Sequence, residues 1–131
     1  MSRTVLIADD EANLLNLLKD NLEESGYSVL TAADGEQALH LWLENRPDVI
    51  VLDIEMPRMD GWETLRLLRL DDATREIPVA MFTILFDLRE KVRALKYGAQ
   101  DYITKPFSVD DLIERVGRIL GGVSAGEVEV R

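Results

Sequence analysis

The sequence predicts an α/β fold, a five-stranded parallel sheet with helices on both faces, and three observations support this prediction. Strand-like and helix-like segments alternate at short intervals along most of the chain, which is typical of repeated βαβ units. Residues 49–52 form an uninterrupted apolar run, as in a strand that is buried on both faces. Residues that favour helix starts recur before the helical segments, so the segmentation does not depend on hydrophobicity alone.

The composition fits a single globular domain of 131 residues, of which 47% are hydrophobic and 31% charged. The absence of cysteine excludes disulfides and thiolate chemistry. No apolar stretch is long enough to cross a bilayer, and the first residues are too short for a signal peptide, so we expect a cytoplasmic protein without a membrane partner. The formal net charge of -10 would repel phosphates, and we therefore expect no direct nucleic acid binding.

Capping and stop residues delimit the elements. Asp34, Asp60, Asp87 and Ser108 each precede a helical pattern and have an acid or amide residue three positions later, while Gly26 ends the first helix. We assign residues 1–122 to one domain and residues 123–131 to a C-terminal tail or the start of a linker. The predicted strands are residues 4–8, 27–32, 49–52, 77–82 and 100–104, and the predicted helices are residues 11–25, 34–46, 60–70, 87–97 and 108–120.

Carboxylates follow two of the predicted strands. Asp9 and Asp10 come after the first strand, and Asp53 ends the third. In a doubly wound, flavodoxin-like (βα)5 sheet of order 2-1-3-4-5, the winding reverses between these two strands, and ligands bind at that point. The three carboxylates would repel one another there unless a cation joined them. A hard divalent ion meets this need, and we predict Mg²⁺, with Mn²⁺ as an alternative.

A hydroxyl and an ammonium lie at the ends of the last two strands. The fourth strand ends at Thr83, and the fifth ends just before Lys105. Both groups facing a metal-binding acidic crevice would make a site for a phosphoryl group, with Asp53 as the nucleophile that becomes an acyl phosphate. Taken singly, these residues have ordinary alternatives as a turn former, a surface lysine and a helix or turn cap. Their joint placement at four strand ends favours the phosphoryl site.

Taken in order, these motifs resemble the receiver domain of bacterial two-component response regulators, the CheY-like domains. The resemblance extends from about residue 3 to residue 120. It is carried by Asp9-Asp10, Asp53 with Met56-Pro57 and Asp60-Gly61, Thr83, and Lys105-Pro106-Phe107.

The resemblance implies that Asp53 accepts a phosphoryl group from a phosphohistidine on a sensor histidine kinase or a phosphotransfer protein. It also implies that Asp10 and Asp53 bind the metal directly, that Asp9 acts through water, and that Glu55 contributes its backbone carbonyl. Lys105 would contact the phosphoryl group. The chain would thus be a signalling switch that assists its own phosphorylation and dephosphorylation, and not an enzyme in the usual sense.

The resemblance further implies a switch. Thr83 would move toward the phosphoryl oxygens and Tyr102 would turn into the space that Thr83 leaves, which changes the face formed by helix four, strand five and helix five. That face would control a downstream protein target or output domain, and it is also a candidate surface for a homodimer. Ile84 departs from the small residue usual after the threonine in the family, and we expect it to slow phosphoryl transfer or hydrolysis.

Two alternative functions differ in class. An aspartyl-phosphate-using phosphatase of the haloacid-dehalogenase type would need a second aspartate two residues after the nucleophile, where this chain has Glu55, and it would need a cap domain over the substrate. A phosphorylation-independent interaction module would not need the acidic pair, Asp53, Thr83 and Lys105 together. The receiver domain therefore remains the favoured interpretation.

Overall fold

The computed structural model describes residues 3–83, 88–105 and 107–121, which form one parallel sheet flanked by helices. The strand order is β2-β1-β3-β4-β5, which confirms the predicted flavodoxin-like fold. The elements are β1 (Thr4–Ala8), α1 (Ala12–Glu24), β2 (Ser28–Ala32), α2 (Gly35–Asn45), β3 (Val49–Asp53), α3 (Gly61–Leu70), β4 (Val79–Thr83), α4 (Leu88–Lys96), β5 (Asp101–Thr104) and α5 (Val109–Gly121).

β3 is the central strand, and all five of its residues are buried. It pairs in parallel with β1 on one side and with β4 on the other. Because the winding reverses between β1 and β3, the loops that follow these two strands leave toward opposite faces of the sheet. The end of β3 is therefore the point at which side chains from several loops can meet.

Apolar side chains on the two faces of the sheet form two separate cores. One face packs against α1 and α5 through residues such as Leu18 and Leu112. The other face packs against α2, α3 and α4 through residues such as Leu65 and Ala94. Alternation along each strand sends neighbouring residues into different cores, which is why the buried central strands contain so few polar residues before their ends.

The helix starts form as the capping pattern predicts. Asp34 Oδ1 accepts a hydrogen bond from Gln37 N at 2.8 Å, and Ser108 Oγ accepts one from Asp111 N at 2.9 Å. At the start of α3, Asp60 Oδ1 accepts a hydrogen bond from Glu63 N at 2.9 Å. These side chains satisfy backbone N–H groups that have no partner within the helix.

β4 begins two residues later than predicted, at Val79 instead of residue 77. The difference arises at its start, because Ile77 N bonds back to Thr74 O at 3.1 Å and closes a turn. Pro78 has no N–H to give to the sheet, although its carbonyl accepts from Ile50 N at 3.0 Å. Thr83 is the last residue of the strand.

Several predicted features fall outside the described residues. These are Asp87 as the cap of α4, the expected effect of Ile84, the Pro106 position of the motif, and residues 122–131 with the predicted tail. Among the helices within the described ranges, none combines the length and apolar character needed to cross a membrane.

Candidate functional site at the carboxyl edge of the sheet

Three carboxylates meet at the carboxyl edge of the sheet, as the strand order requires. Asp9, Asp10 and Asp53 each offer one oxygen, and these oxygens all lie within 4.8 Å of one another. Asp9 is completely buried and Asp53 is 4% exposed, whereas Asp10 is exposed. The cluster therefore has a buried floor and one side that is open to solvent.

Asp9 is fixed by contacts on both of its carboxylate oxygens. Oδ1 accepts from Glu11 N at 2.8 Å, which satisfies a backbone group at the start of α1. Oδ2 accepts from Lys105 Nζ at 2.8 Å. The backbone N–H of Asp9 continues the sheet by donating to Ala32 O at 3.0 Å, so the side chain enters the site from a rigid position.

Lys105 faces the cluster from the end of β5. Its backbone N–H donates to Thr83 O at 2.6 Å, and its Nζ lies 3.6 Å from Asp53 Oδ1 as well as 2.8 Å from Asp9. Nζ also lies 4.8 Å from the ring centroid of Phe82, a distance at which the ring face attracts a cation. Burial would lower the pKa of the Lys105 ammonium, but the bond to Asp9 and the charges of Asp53 and Asp9 raise it above the usual value.

The pKa of Asp53 is raised to about 7. Burial is the main cause, and the nearby charge of Asp9 adds to it, while Lys105 and a hydrogen bond from the Glu55 backbone N–H work in the opposite direction. Burial and the neighbouring carboxylate thus outweigh the single ammonium in setting this pKa. This charge balance, together with a donor set made only of oxygens, fits a hard divalent cation such as Mg²⁺. The exposed side at Asp10 leaves room for the waters that Mg²⁺ retains.

Glu55 lies in the loop after β3. Its side chain is exposed, and its backbone N–H bonds to the Asp53 carboxylate. The Glu55 backbone is therefore next to the acceptor, and its side chain points to the solvent-exposed side of the loop. The role of its carbonyl as a metal ligand stays a prediction.

Thr83 and Tyr102 lie on the same face of the sheet. Thr83 is completely buried at the end of β4 and pairs in register with Thr104, while Tyr102 pairs with Met81. Residues two apart on a strand share a face, so Thr83 and Tyr102 are diagonal neighbours on the side that faces α3 and α4. Tyr102 is 4% exposed and belongs to the core on that side.

Sequence reasoning missed two contacts that shape the site. It did not predict the Phe82 ring beside the Lys105 ammonium, although Phe82 directly precedes Thr83 and its apolar character was evident. It also missed the bond of Arg58 to Asp34, which fixes the loop containing Glu55. No local signal could indicate that bond, because the two residues are 24 positions apart.

Comparison with known proteins gives three concordant findings. A family model described as the response regulator receiver domain matches residues 5–117. The alkaline phosphatase synthesis transcriptional regulatory protein PhoP of Bacillus subtilis is 43% identical over 120 residues, which are 92% of this chain and 49% of that protein. The solved receiver domain of the Francisella response regulator 1452 superposes with a TM-score of 0.86 at 39% identity, covering 91% of this chain and 97% of that one.

A further relative corrects the expectation about nucleic acid. The DNA-binding dual master transcriptional regulator RpaA of Synechocystis is 40% identical over 116 residues, which are 88% of this chain and 48% of that protein. The prediction of no direct nucleic acid binding is therefore wrong as a statement about this class of protein. The charge argument failed because it considered only this chain, which spans about half the length of the curated relatives that it matches.

Proposed function

Because this chain belongs to the response regulator receiver domain family, we propose that it is a phosphorylation-controlled switch with Asp53 as the phosphoryl acceptor. The donor is a phosphohistidine on a sensor histidine kinase or a phosphotransfer protein. The observation that carries the proposal is the convergence of Asp9, Asp10 and Asp53 with the Lys105 ammonium at the end of β3. This arrangement supplies a nucleophile, oxygen ligands for a cation and a positive charge within a few ångströms of one another.

In the proposed reaction, a carboxylate oxygen of Asp53 attacks the phosphorus of the donor. The phosphorus–nitrogen bond breaks, its electron pair stays on the imidazole nitrogen, which takes up a proton, and Asp53 becomes an acyl phosphate. Lys105, with Nζ 3.6 Å from Asp53 Oδ1, neutralises part of the charge on the phosphoryl oxygens. In the second half of the cycle, water attacks the same phosphorus, the bond between phosphorus and the Asp53 oxygen breaks, and inorganic phosphate leaves while the carboxylate is restored.

The chain's own oxygens would hold the cation. Asp10 and Asp53 bind Mg²⁺ directly, Asp9 acts through water, and Glu55 contributes its backbone carbonyl, with Mn²⁺ as an alternative ion. The bound ion supplies further neutralisation of the phosphoryl oxygens. Asp9 is suited to an indirect role, because both of its oxygens already accept hydrogen bonds from Glu11 N and Lys105 Nζ.

The response to phosphorylation would pass through Thr83 and Tyr102. The Thr83 hydroxyl moves toward the phosphoryl oxygens, and Tyr102 turns into the space that this movement opens. The diagonal placement of the two residues on one face of the sheet supports this coupling. The change then alters the surface of α4, β5 and α5.

The output of the switch would be control of DNA binding and transcription. The curated relatives PhoP and RpaA are transcriptional regulators of about twice the matched length, so a receiver of residues 1–122 would act on a DNA-binding region of a longer protein. Residues 123–131 would then begin the linker to that region.

The direct test is incubation with acetyl phosphate and Mg²⁺, followed by intact-mass measurement. We expect one phosphoryl group on the wild-type protein, none on Asp53→Asn, and none on the wild type after chelation of the metal. The matched control is Asp20→Asn, which alters an exposed aspartate on α1 and should be phosphorylated like the wild type. Modification of Asp53→Asn, or an unmodified wild type with both acetyl phosphate and a phosphohistidine donor, would refute the proposal.

A further inference from the structure

The loop between β3 and α3, residues 54–60, sets the position of the Glu55 backbone. The loop is closed at its base, where Gly61 N donates to Ile54 O at 2.8 Å, and Ile54 N is held by Phe82 O at 3.0 Å. Glu55 lies two residues after Asp53, and its backbone N–H lowers the pKa of the Asp53 carboxylate. A shift of the loop would therefore move the Glu55 backbone relative to the Asp53 carboxylate.

Arg58 fastens this loop to the start of α2. Its Nε and Nη2 both donate to Asp34 Oδ2, at 2.9 and 2.6 Å. The other oxygen, Asp34 Oδ1, accepts from Gln37 N in the first turn of α2. One carboxylate, only 8% exposed, thus joins the helix and the loop, and the bond from Gln37 and then the bond from Arg58 hold the pKa of Asp34 below its usual value.

The backbone makes a second contact at the same place. Gly35 N donates to Met59 O at 3.2 Å, so consecutive residues of the loop contact consecutive residues of α2. A Cβ on Gly35 would lie 2.7 Å from Met59 O and would also collide with Thr64 Oγ1. The glycine therefore permits an approach that any other residue would prevent.

Local stability does not account for an arginine at position 58. Arg58 has a φ of 63°, in the left-handed region where glycine or asparagine is favoured. Its side chain is 62% exposed, whereas the Asp34 carboxylate that it contacts is 8% exposed, so the backbone preference alone does not explain the residue. The contact with Asp34 gives the arginine a function that glycine lacks, which is to hold the loop.

We infer that Arg58 and Asp34 are positioning residues for the phosphoryl-acceptor site. The pair holds residues 54–60 against α2, and this keeps the Glu55 backbone aligned with Asp53 and with the bound cation. The inference rests on the proposed function, because the cation and the acceptor belong to that site. It adds two residues that lie outside the acidic cluster and act on it only through the loop.

The test is titration with Mg²⁺ alone, by isothermal calorimetry, of the wild type and of variants of the pair. For Arg58→Gly we expect Mg²⁺ affinity to fall by about 3- to 10-fold, less than the roughly 10- to 100-fold typical of a partner bonded directly to a metal ligand. The urea midpoint should change little, because glycine relaxes the left-handed backbone while Asp34 Oδ2 loses the bonds from Arg58. A purely structural role would not separate these two readouts.

Two further variants sharpen the test. Asp34→Asn keeps an acceptor for Gln37 N and removes the charge, so it should lose the same affinity as Arg58→Gly, and the double variant should lose no more than either single one. Arg66→Gln is the matched control, since it removes an exposed ion pair with Glu63 on α3 and should leave Mg²⁺ affinity unchanged.

Wild-type Mg²⁺ affinity in Arg58→Gly, or losses that add in the double variant, would overturn the positioning role. The acetyl phosphate assay separates this failure from failure of the proposed function. A wild type that takes up phosphate while Arg58→Gly binds Mg²⁺ equally well refutes only the positioning role. Mg²⁺ binding that depends on Arg58, in a wild type that no donor phosphorylates, refutes only the proposed function.

Discussion

The end of β3 and the outer face of α4 differ in how deeply their side chains are buried. Every residue of β3 is buried, and Asp53 at its end is surrounded by Asp9, Lys105 and the Glu55 backbone. In α4, only Ala94 is buried among the described residues, and Leu88 and Val92 are 66% and 56% exposed. A region with few buried apolar contacts opens at a lower free energy than the core. The chemical site is therefore built on rigid elements, and the helix expected to respond is weakly held.

The largest expected effect compares one truncation in each region. Val51→Ala in β3 should lower the free energy of unfolding by roughly 2–3 kcal/mol, because Val51 is completely buried and its lost methyl groups leave a cavity. Val92→Ala on α4 should change it by less than about 0.5 kcal/mol. Urea unfolding measures both. Equal losses would show that α4 is held as firmly as the central strand.

The second effect concerns how closely α3 approaches the end of β3. A Cβ on Gly61 would lie 2.5 Å from Asp53 O and 2.9 Å from Ile54 Cα, both backbone atoms, so Gly61→Ala should destabilise the fold by about 1–3 kcal/mol. Gly117→Ala in α5 is the control. Among the described residues, its Cβ meets only Tyr27 Oη, at 3.4 Å, and alanine favours helix, so a gain of up to about 1 kcal/mol is expected. Urea unfolding of both variants checks this, and a neutral Gly61→Ala would contradict the close approach.

The third effect tests the raised pKa of Asp53, which is caused first by burial and then by the charge of Asp9. Its folded-state pKa of about 7 exceeds the unfolded value near 4, so ionisation of Asp53, which faces Asp9, Asp10 and Lys105, lowers stability as pH rises from about 4 to 7. Without divalent cations, Asp53→Asn should therefore stabilise the fold at pH 8 by roughly 1–2 kcal/mol. Thermal unfolding at pH 4 and pH 8 measures the gain. If Asp53→Asn stabilises the fold as much at pH 4 as at pH 8, ionisation of Asp53 is not the cause of the stabilisation.

The smallest effect lies away from the acidic cluster. The pKa of Asp34 is lowered in the folded state by the bond from Gln37 N and by Arg58. A depressed carboxyl pKa contributes stability above the unfolded value near 4, and this contribution is lost as pH falls through the folded value. Asp34→Asn should thus lower the free energy of unfolding by a few tenths of a kcal/mol at pH 7. At the lowest pH at which the fold persists, it should leave this free energy unchanged. Urea midpoints of the wild type and of Asp34→Asn, measured across that pH range, check this. A difference that does not change with pH would show that the charge of Asp34 is not its cause.

Much of this structure could be predicted from local signals. Apolar runs gave the strands, and side chains such as Asp60 and Ser108 marked the helix starts. Asp9 and Lys105 are 96 positions apart, yet their meeting could be predicted, because strand order alone brings the carboxyl ends together. The contact of Arg58 with Asp34 could not, since it depends on the path of one loop. The late start of β4 was missed although Pro78, which has no N–H to give to the sheet, was a sequence signal for it.

The position of Lys105 has a further consequence. Its ammonium lies in the same negative potential that a divalent ion would occupy, bonded to Asp9 and close to Asp53. On the proposed function, the ammonium would therefore compete with a divalent ion for these carboxylates. A phosphoryl group on Asp53 would give Lys105 another anion to contact and would weaken this competition. Metal binding and phosphorylation would then favour each other.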